Sequence, residues 1–265
     1  MNKRLRHLRQ LIETLQPENI RLALLLARSQ GLMRFLCATY GLNLWRAVRA
    51  QPVELWLTRQ ILKRCLYVDK QGWLTLRLSR RLRVNRIMCE NNELQSIDFA
   101  HLPRLRVLHC PDNRIEALDT SAYPVLVHLF CMRNRITDLQ LPTHGRLALL
   151  DCSENALTTL DVRAQKRLIK LWCQDCALSG EELKLGTHKQ LKLLCCHRNP
   201  LQRLDLSGVP NLEFLNCEAC ALTDLPTGIE RLKKLQIAYL GVNPIPRERI
   251  DWLKKQLPDC KVYGW

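Results

Sequence analysis

From residue 84 onward the chain repeats itself, and no other property narrows its possible folds as much. The pattern Leu-x-x-Leu-x-Cys-x-x-Asn-x-Leu-x-x-Leu-Asp recurs at 21-residue intervals. Val84, Ile87, Cys89, Asn92, Leu94, Ile97 and Asp98 form the first copy, and Leu105, Leu108, Cys110, Asn113, Ile115, Leu118 and Asp119 the second. Further copies begin at Leu126 and Leu147. The fifth, from Leu168, carries Cys176 at the Asn position and stretches the interval to 23 residues. The sixth starts at Leu191, the seventh at Leu212 with Cys220 in place of Asn, and an eighth, degenerate copy at Leu235. One copy cannot bury its own apolar face, whereas stacked copies share a continuous core, so the chain must coil as a solenoid. Each Leu-x-x-Leu-x-Cys run supplies a short strand, and eight parallel strands make a sheet roughly 35–40 Å long.

These copies resemble the leucine-rich repeat family, and within it the 21-residue bacterial class sometimes called IRREKO, whose second half reads Leu-x-x-Leu-Asp. The resemblance covers residues 84–246. It implies an α/β fold: a leucine-rich repeat solenoid with a parallel β-sheet on its concave face and short extended or 3-10 segments on its convex face.

The residues before the repeats predict an all-α N-terminal region. Leu5, Leu8, Leu11, Ile12 and Leu15 fall at helical spacing, Pro17 breaks the run, and 20–27 continues to a stop at Gly31. Further helical stretches are expected over 32–39, 42–50 and 53–66. After Gly72, the alternation from Trp73 to Leu78 predicts a first strand or a degenerate repeat. At the other end, 247–256 reads as a helix stopped by Leu257 and Pro258. That ending resembles the helix-and-strand cap of leucine-rich repeat proteins. The expected organisation is a helical N-terminal domain or cap over 1–70, the solenoid over 71–246 and a C-terminal cap over 247–265, since the ends of an apolar coil need covers.

The basic start of the chain runs into Gln10, Glu13 and Gln16 rather than an apolar core and cleavage site, so no signal peptide is expected. The most apolar stretch, 20–27, contains Arg21 and falls short of the ~18 residues of a membrane span. Together with 13 cysteines, these readings predict a reducing cytoplasm.

Two Cys-x-x-Cys pairs, Cys173/Cys176 and Cys217/Cys220, invite a zinc reading. The repeat opposes it: a whole rung separates the pairs by ~10 Å of sheet, too far for one ion with ~2.3 Å metal–sulfur bonds. Cys89, Cys110, Cys131, Cys152, Cys173, Cys196 and Cys217 instead form one column, at the position where the family places a buried aliphatic residue. Cysteine is a small, readily buried hydrophobe, so core filler is the stronger reading. The Asn column matches the family's ladder, in which the side-chain amide pairs with backbone groups leaving each strand. Cys195 and His197 fall on the exposed side of the sixth strand, but no orienting carboxylate or oxyanion donor is identifiable there. No metal, cofactor or catalytic residue is assigned, and the chain reads as a non-enzyme.

With the Leu and Cys positions inward, the residues between them face out. Phe130, Trp172, Phe214 and Tyr239, with Leu149, form an aromatic and aliphatic stripe, and His109, His128, Asp151 and Lys170 punctuate it. Aromatic anchors within a polar rim are the composition of a protein-binding surface. Coverage by the chain's own terminal segments is the alternative. The net charge is +16, of which residues 1–83 hold 17 Lys and Arg against 4 Asp and Glu. Acidic proteins, nucleic acid or an anionic membrane are therefore candidate partners of the N-terminal helices. The expected function is a monomeric protein–protein interaction module binding on the concave face. The alternatives are a nucleic-acid- or membrane-associated scaffold, or an exported bacterial effector of leucine-rich repeat type.

Overall fold

The computed structural model describes residues 65–67, 75–77, 85–98, 102–143 and 145–264. The expected N-terminal helices over 5–50 lie outside them, as do the basic residues 80–83. Ten three-residue strands form one parallel sheet in chain order: Cys65–Tyr67, Arg86–Met88, Val107–His109, His128–Phe130, Leu149–Asp151, Lys170–Trp172, Leu193–Cys195, Phe214–Asn216, Ile237–Tyr239 and Lys261–Tyr263. Sequential neighbours in a parallel sheet require the chain to return between them, which is one coil per strand. The return arms carry shorter parallel pairs, Thr75–Arg77 with Ser96–Asp98, Ala117–Asp119 with Asp138–Gln140, and Leu160–Asp161 with Leu183–Lys184, and a 3-10 turn at Ile229–Arg231.

The middle residue of each repeat strand points inward. Ile87, Leu108, Leu129, Leu150, Leu171, Leu194, Leu215 and Ala238 are all fully buried, and the strand residues flanking them are mostly half-exposed. Burying one such leucine stabilises the fold by about 1.5–3 kcal/mol. All seven thiols of the column are fully buried beside them, the place the repeat assigns.

Polar positions of the repeat have equally local work. Asn199, 2% exposed, donates from Nδ2 to the carbonyls of Cys196 (2.8 Å), Cys173 (2.9 Å) and His197 (3.3 Å), while its Oδ1 accepts the Leu178 N–H at 3.1 Å. One side chain thus joins two rungs, and Asn113, Asn134, Asn155 and Asn243 make the same pattern. Where cysteine replaces asparagine, the thiol keeps part of it: Cys220 Sγ donates to the Cys196 and Glu218 carbonyls at 3.2 and 3.4 Å, and Cys176 Sγ to Cys152 and Gln174 at 3.6 Å each. Where an Asp ends the repeat, as at Asp119, Asp161 and Asp205, its carboxylate accepts the backbone N–H two residues on and so closes a turn.

Two residues after each of the seven column cysteines, and after Leu240 at the same position of the last copy, the backbone turns left-handed, at Asn91, Asp112, Arg133, Glu154, Asp175, Arg198, Ala219 and Val242, with φ of 50–55°. None is glycine. The ladder bonds hold these residues in a conformation that costs an L side chain about 1–2 kcal/mol each.

One difference from the expected layout concerns the start of the sheet, while the helix-and-strand cap expected at its end is present. Cys65–Tyr67 is a strand in register with Arg86–Met88, whereas its first two residues were expected to end a helix. The pairing of Leu66 with Ile87 and of Leu76 with Ile97 sets the strands Cys65–Tyr67 and Thr75–Arg77 in the register of a further, degenerate repeat. In the sequence, Val68 and Gln71 fall where the next copy has Cys89 and Asn92, so the stretch lacks the signature. At the other end the helix Arg247–Gln256 buries Ile250 and Leu253, and Lys261–Tyr263 joins the sheet as its last strand beside Ile237–Tyr239.

Candidate functional site

The outward positions of the main sheet hold every residue of the expected stripe, sorted by register into three groups. At one end His109, His128 and Phe130 cluster. The Phe130 ring lies 5.4 Å from His109 and meets His128 edge-on at 6.2 Å, and His109 Nδ1 lies 3.0 Å from Glu90 Oε2. Burial lowers the basicity of His128, with Arg86 and Arg106 acting in the same direction.

In the centre, Leu149 pairs with Lys170, and Asp151 stands in register between Phe130 and Trp172. Lys170 Nζ sits 5.8 Å from the centre of the Trp172 ring, a cation–π contact. Asp151 Oδ1 accepts the Ser153 N–H at 3.1 Å and its hydroxyl at 2.6 Å. Burial nevertheless pushes the Asp151 carboxyl above the usual range; the Ser153 bonds and the charges of Arg133 and His109 oppose that shift.

At the far end Phe214 and Tyr239 lie 5.8 Å apart, and Tyr239 stacks on Tyr263 at 4.8 Å with the rings 12° from parallel. Tyr263 extends the stripe and was not among the expected residues. The signal was present: Lys261-Val262-Tyr263 repeats the alternation of Ile237-Ala238-Tyr239, but it follows a helix rather than another repeat. Glu90, which fixes the His109 ring, was also missed, because it lies after the strand rather than on it.

The stripe is less bare than its composition suggests. Phe130, Trp172, Phe214 and Tyr239 are half-buried by one another and by their neighbours. Cys195, next in the row after Trp172, is 8% exposed, and burial and then Asp151 push its thiol up to about 11. A nucleophilic thiol needs the opposite shift. His197 does have a carboxylate nearby, Asp175 Oδ2 at 3.9 Å, yet burial lowers the basicity of its ring. Among the described residues no group of three or more His, Cys, Asp or Glu is placed to hold a metal ion, and no helix is long and apolar enough to cross a membrane.

Beyond the strand ends, the left-handed positions stack from rung to rung as an ionic rim. Arg133 bridges Asp112 at 2.6 Å and Glu154 at 3.7 Å, and Arg198 reaches Asp175 at 3.4 Å. The Arg133 hydrogen bond holds the Asp112 carboxyl below its usual range. These exposed pairs contribute little stability, up to ~1 kcal/mol each, but they set the polar border of the stripe.

No family model and no curated protein matches the chain. Solved structures do. It is similar to a leucine-rich repeat protein of Leptospira interrogans at 26% identity and a TM-score of 0.60, over 69% of this chain and 50% of that one. It is also similar to the functional domain of InlJ from Listeria monocytogenes, described as including a cysteine ladder, at 26% identity and a TM-score of 0.52, over 70% of this chain and 44% of that one. YopM from Yersinia enterocolitica, at 22% identity and a TM-score of 0.56 over 68% and 42%, shares the fold. The chain spans half or less of the length of these structures.

Proposed function

We propose that this chain, which belongs to the leucine-rich repeat proteins, works as a non-enzymatic interaction module that holds another protein on the concave face of its main sheet. The observation that carries the reading is the open row of aromatic side chains, half-buried Phe130, Trp172, Phe214 and Tyr239 and exposed Tyr263, set in one sheet and bordered by the ionic rim. Rigid aromatic anchors lose little entropy on binding and bury large areas, which is where interfaces concentrate their free energy. The similarity to other leucine-rich repeat proteins supports an interaction scaffold in general.

The thiol column fits the same reading as packing rather than chemistry. Its Sγ atoms are buried and burial pushes the Cys110, Cys131 and Cys152 thiols up, away from the reactive thiolate. A reducing, cytoplasmic setting is part of the proposal, since such a column keeps its thiols only where oxidants are scarce.

The test is capture of partners from cells by the full chain and by a Phe130→Ala/Trp172→Ala variant that retains the wild-type circular dichroism. The reading expects the specific partners to disappear. An unchanged set of partners overturns it, and points instead to the basic residues 1–83, whose phosphate contacts would show as a steep fall of affinity with salt.

A further inference from the structure

We propose that Asp151, between Phe130 and Trp172, is the seat for a basic side chain, arginine or lysine, presented by the protein partner. The inference rests on the docking reading above and adds the chemistry of what docks.

Three observations carry it. The first is register. Phe130 pairs with Asp151 and Asp151 with Trp172, so the three side chains stand at one height on adjacent strands. Strands ~4.8 Å apart leave the two ring-bearing positions ~10 Å from each other across the carboxylate. That gap admits a flat guanidinium or a slim ammonium-tipped chain, with aromatic surface on either side and an anion beneath. Aromatic rings and a carboxylate attract cations by separate electrostatic routes, and both strengthen as water is excluded.

The second is the uncompensated charge. Asp151 Oδ1 is occupied by Ser153, whereas Oδ2 accepts no hydrogen bond and Asp151 makes no ion pair among the described residues. Its cationic neighbours are committed elsewhere: Arg133 to Asp112 and Glu154, His109 to Glu90, and Lys170 to the Trp172 ring. A carboxylate that loses more hydration than its neighbours' charges and hydrogen bonds make good is costly to the fold, and its raised pKa reflects that cost. Such costs concentrate where a ligand later supplies the missing charge.

The third is the local field. The chain is strongly basic overall. Yet the last outward position of each repeat strand and the two outward positions of the turn after it carry Glu90, Asp112, Asp151, Glu154, Asp175 and Glu218 against only Arg133 and Arg198. The rim around Asp151 is therefore acidic within a basic protein, and it steers a cationic group toward the seat.

The test uses the full chain labelled with 5-fluorotryptophan, with the Trp172 resonance assigned through Trp172→Phe. At low ionic strength it is titrated with N-acetyl-arginine methylamide and with the neutral isostere N-acetyl-citrulline methylamide. The seat predicts a saturable shift of the Trp172 signal with the arginine compound, at least fivefold weaker apparent affinity for citrulline, and a similar loss in Asp151→Asn. Should Asp151→Asn not fold, Phe130→Leu keeps the carboxylate and removes one ring, and it must weaken the arginine response severalfold while leaving citrulline unchanged. Equal responses to arginine and citrulline, or no response to either, overturn the proposal. Partner capture separates its failure from that of the docking reading. Partners lost in Phe130→Ala/Trp172→Ala but fully retained in Asp151→Asn leave the docking face standing without the cation seat, while partners retained in both remove the docking face itself.

Discussion

Raising the pH in reducing buffer titrates the thiol column only if the solenoid comes apart, and the size of that coupling follows from the structure. Cys89, Cys110, Cys131, Cys152, Cys173 and Cys217 are fully buried, and burial pushes each thiol well up from its ordinary value. Cys196 moves the same way, through its contact with the Cys220 thiol and then through burial. In the unfolded chain each of these groups ionises near pH ~8.5. Between that value and the raised folded value, the unfolded chain releases protons that the folded chain keeps, so stability falls as pH rises. At pH ~9.5 the loss is about 1.4 kcal/mol per thiol, and seven thiols together cost about 10 kcal/mol, comparable to the whole stability of a typical domain. The expected outcome is a cooperative unfolding near pH 9.5, with thiolate absorbance at about 240 nm and the circular dichroism changing together. A Cys131→Val/Cys152→Val/Cys173→Val variant retains four of the column thiols, and its alkaline midpoint should move up by about 0.5–1 pH unit at equal neutral stability. Thiolate absorbance that climbs smoothly from pH ~8 while the circular dichroism stays constant would mean that the thiols ionise inside the fold and that the coupling is absent.

Other substitutions read the ladder, the turns and the core separately. Asn199→Ala removes the donors to three carbonyls and the acceptor for Leu178, and should cost about 3 kcal/mol in urea unfolding, whereas Asn199→Cys, the replacement already present at Cys176 and Cys220, should cost about 1 kcal/mol less than that. Equal losses in the two would show that the thiol inherits none of the ladder. Val242 is 79% exposed with φ of 55°, a strained position for a β-branched side chain, so Val242→Asn should raise stability by about 0.5–1 kcal/mol while Val242→Ile changes little. His188 is fully buried, and burial lowers its basicity against the opposing influence of the Leu185, Gln165 and Val162 backbone. Its contribution to stability is complete above pH ~6.5 and fades as acid protonates the unfolded chain, so His188→Leu should stabilise the protein and flatten its stability profile below pH ~6.5. A profile unchanged by that substitution would place the acid sensitivity elsewhere.

The central architecture was legible because a stacked coil writes itself into the chain at a constant interval. Leu108, Cys110 and Asn113 occupy the same environment as Leu129, Cys131 and Asn134 one rung later, so one period assigns inward and outward faces along the whole array. The start of the array was legible only in part: the alternation from Trp73 to Leu78 pointed to the strand Thr75–Arg77, whereas Cys65–Tyr67, whose first two residues were read as the end of a helix, was missed. Val68 and Gln71 fall where the next copy has Cys89 and Asn92, so the pairing of Cys65–Tyr67 with Arg86–Met88 is what reveals that strand. Tyr263 escaped for a related reason, since its strand returns to the sheet after the helix Arg247–Gln256 and carries no repeat of its own.

The sequence by itself determined the rung height, the buried column of thiols and the list of side chains on the open face, because those depend on period and on the affinity of apolar groups for one another. Which charges on that face cancel depends on the folded coil. Arg133 turns to Asp112 and Glu154, His109 meets Glu90, and Asp151 is left between two rings with one oxygen unpaired. Pairing of charges is set by distances of a few ångströms between rungs, and a repeat pattern carries the spacing of positions without the directions their side chains take.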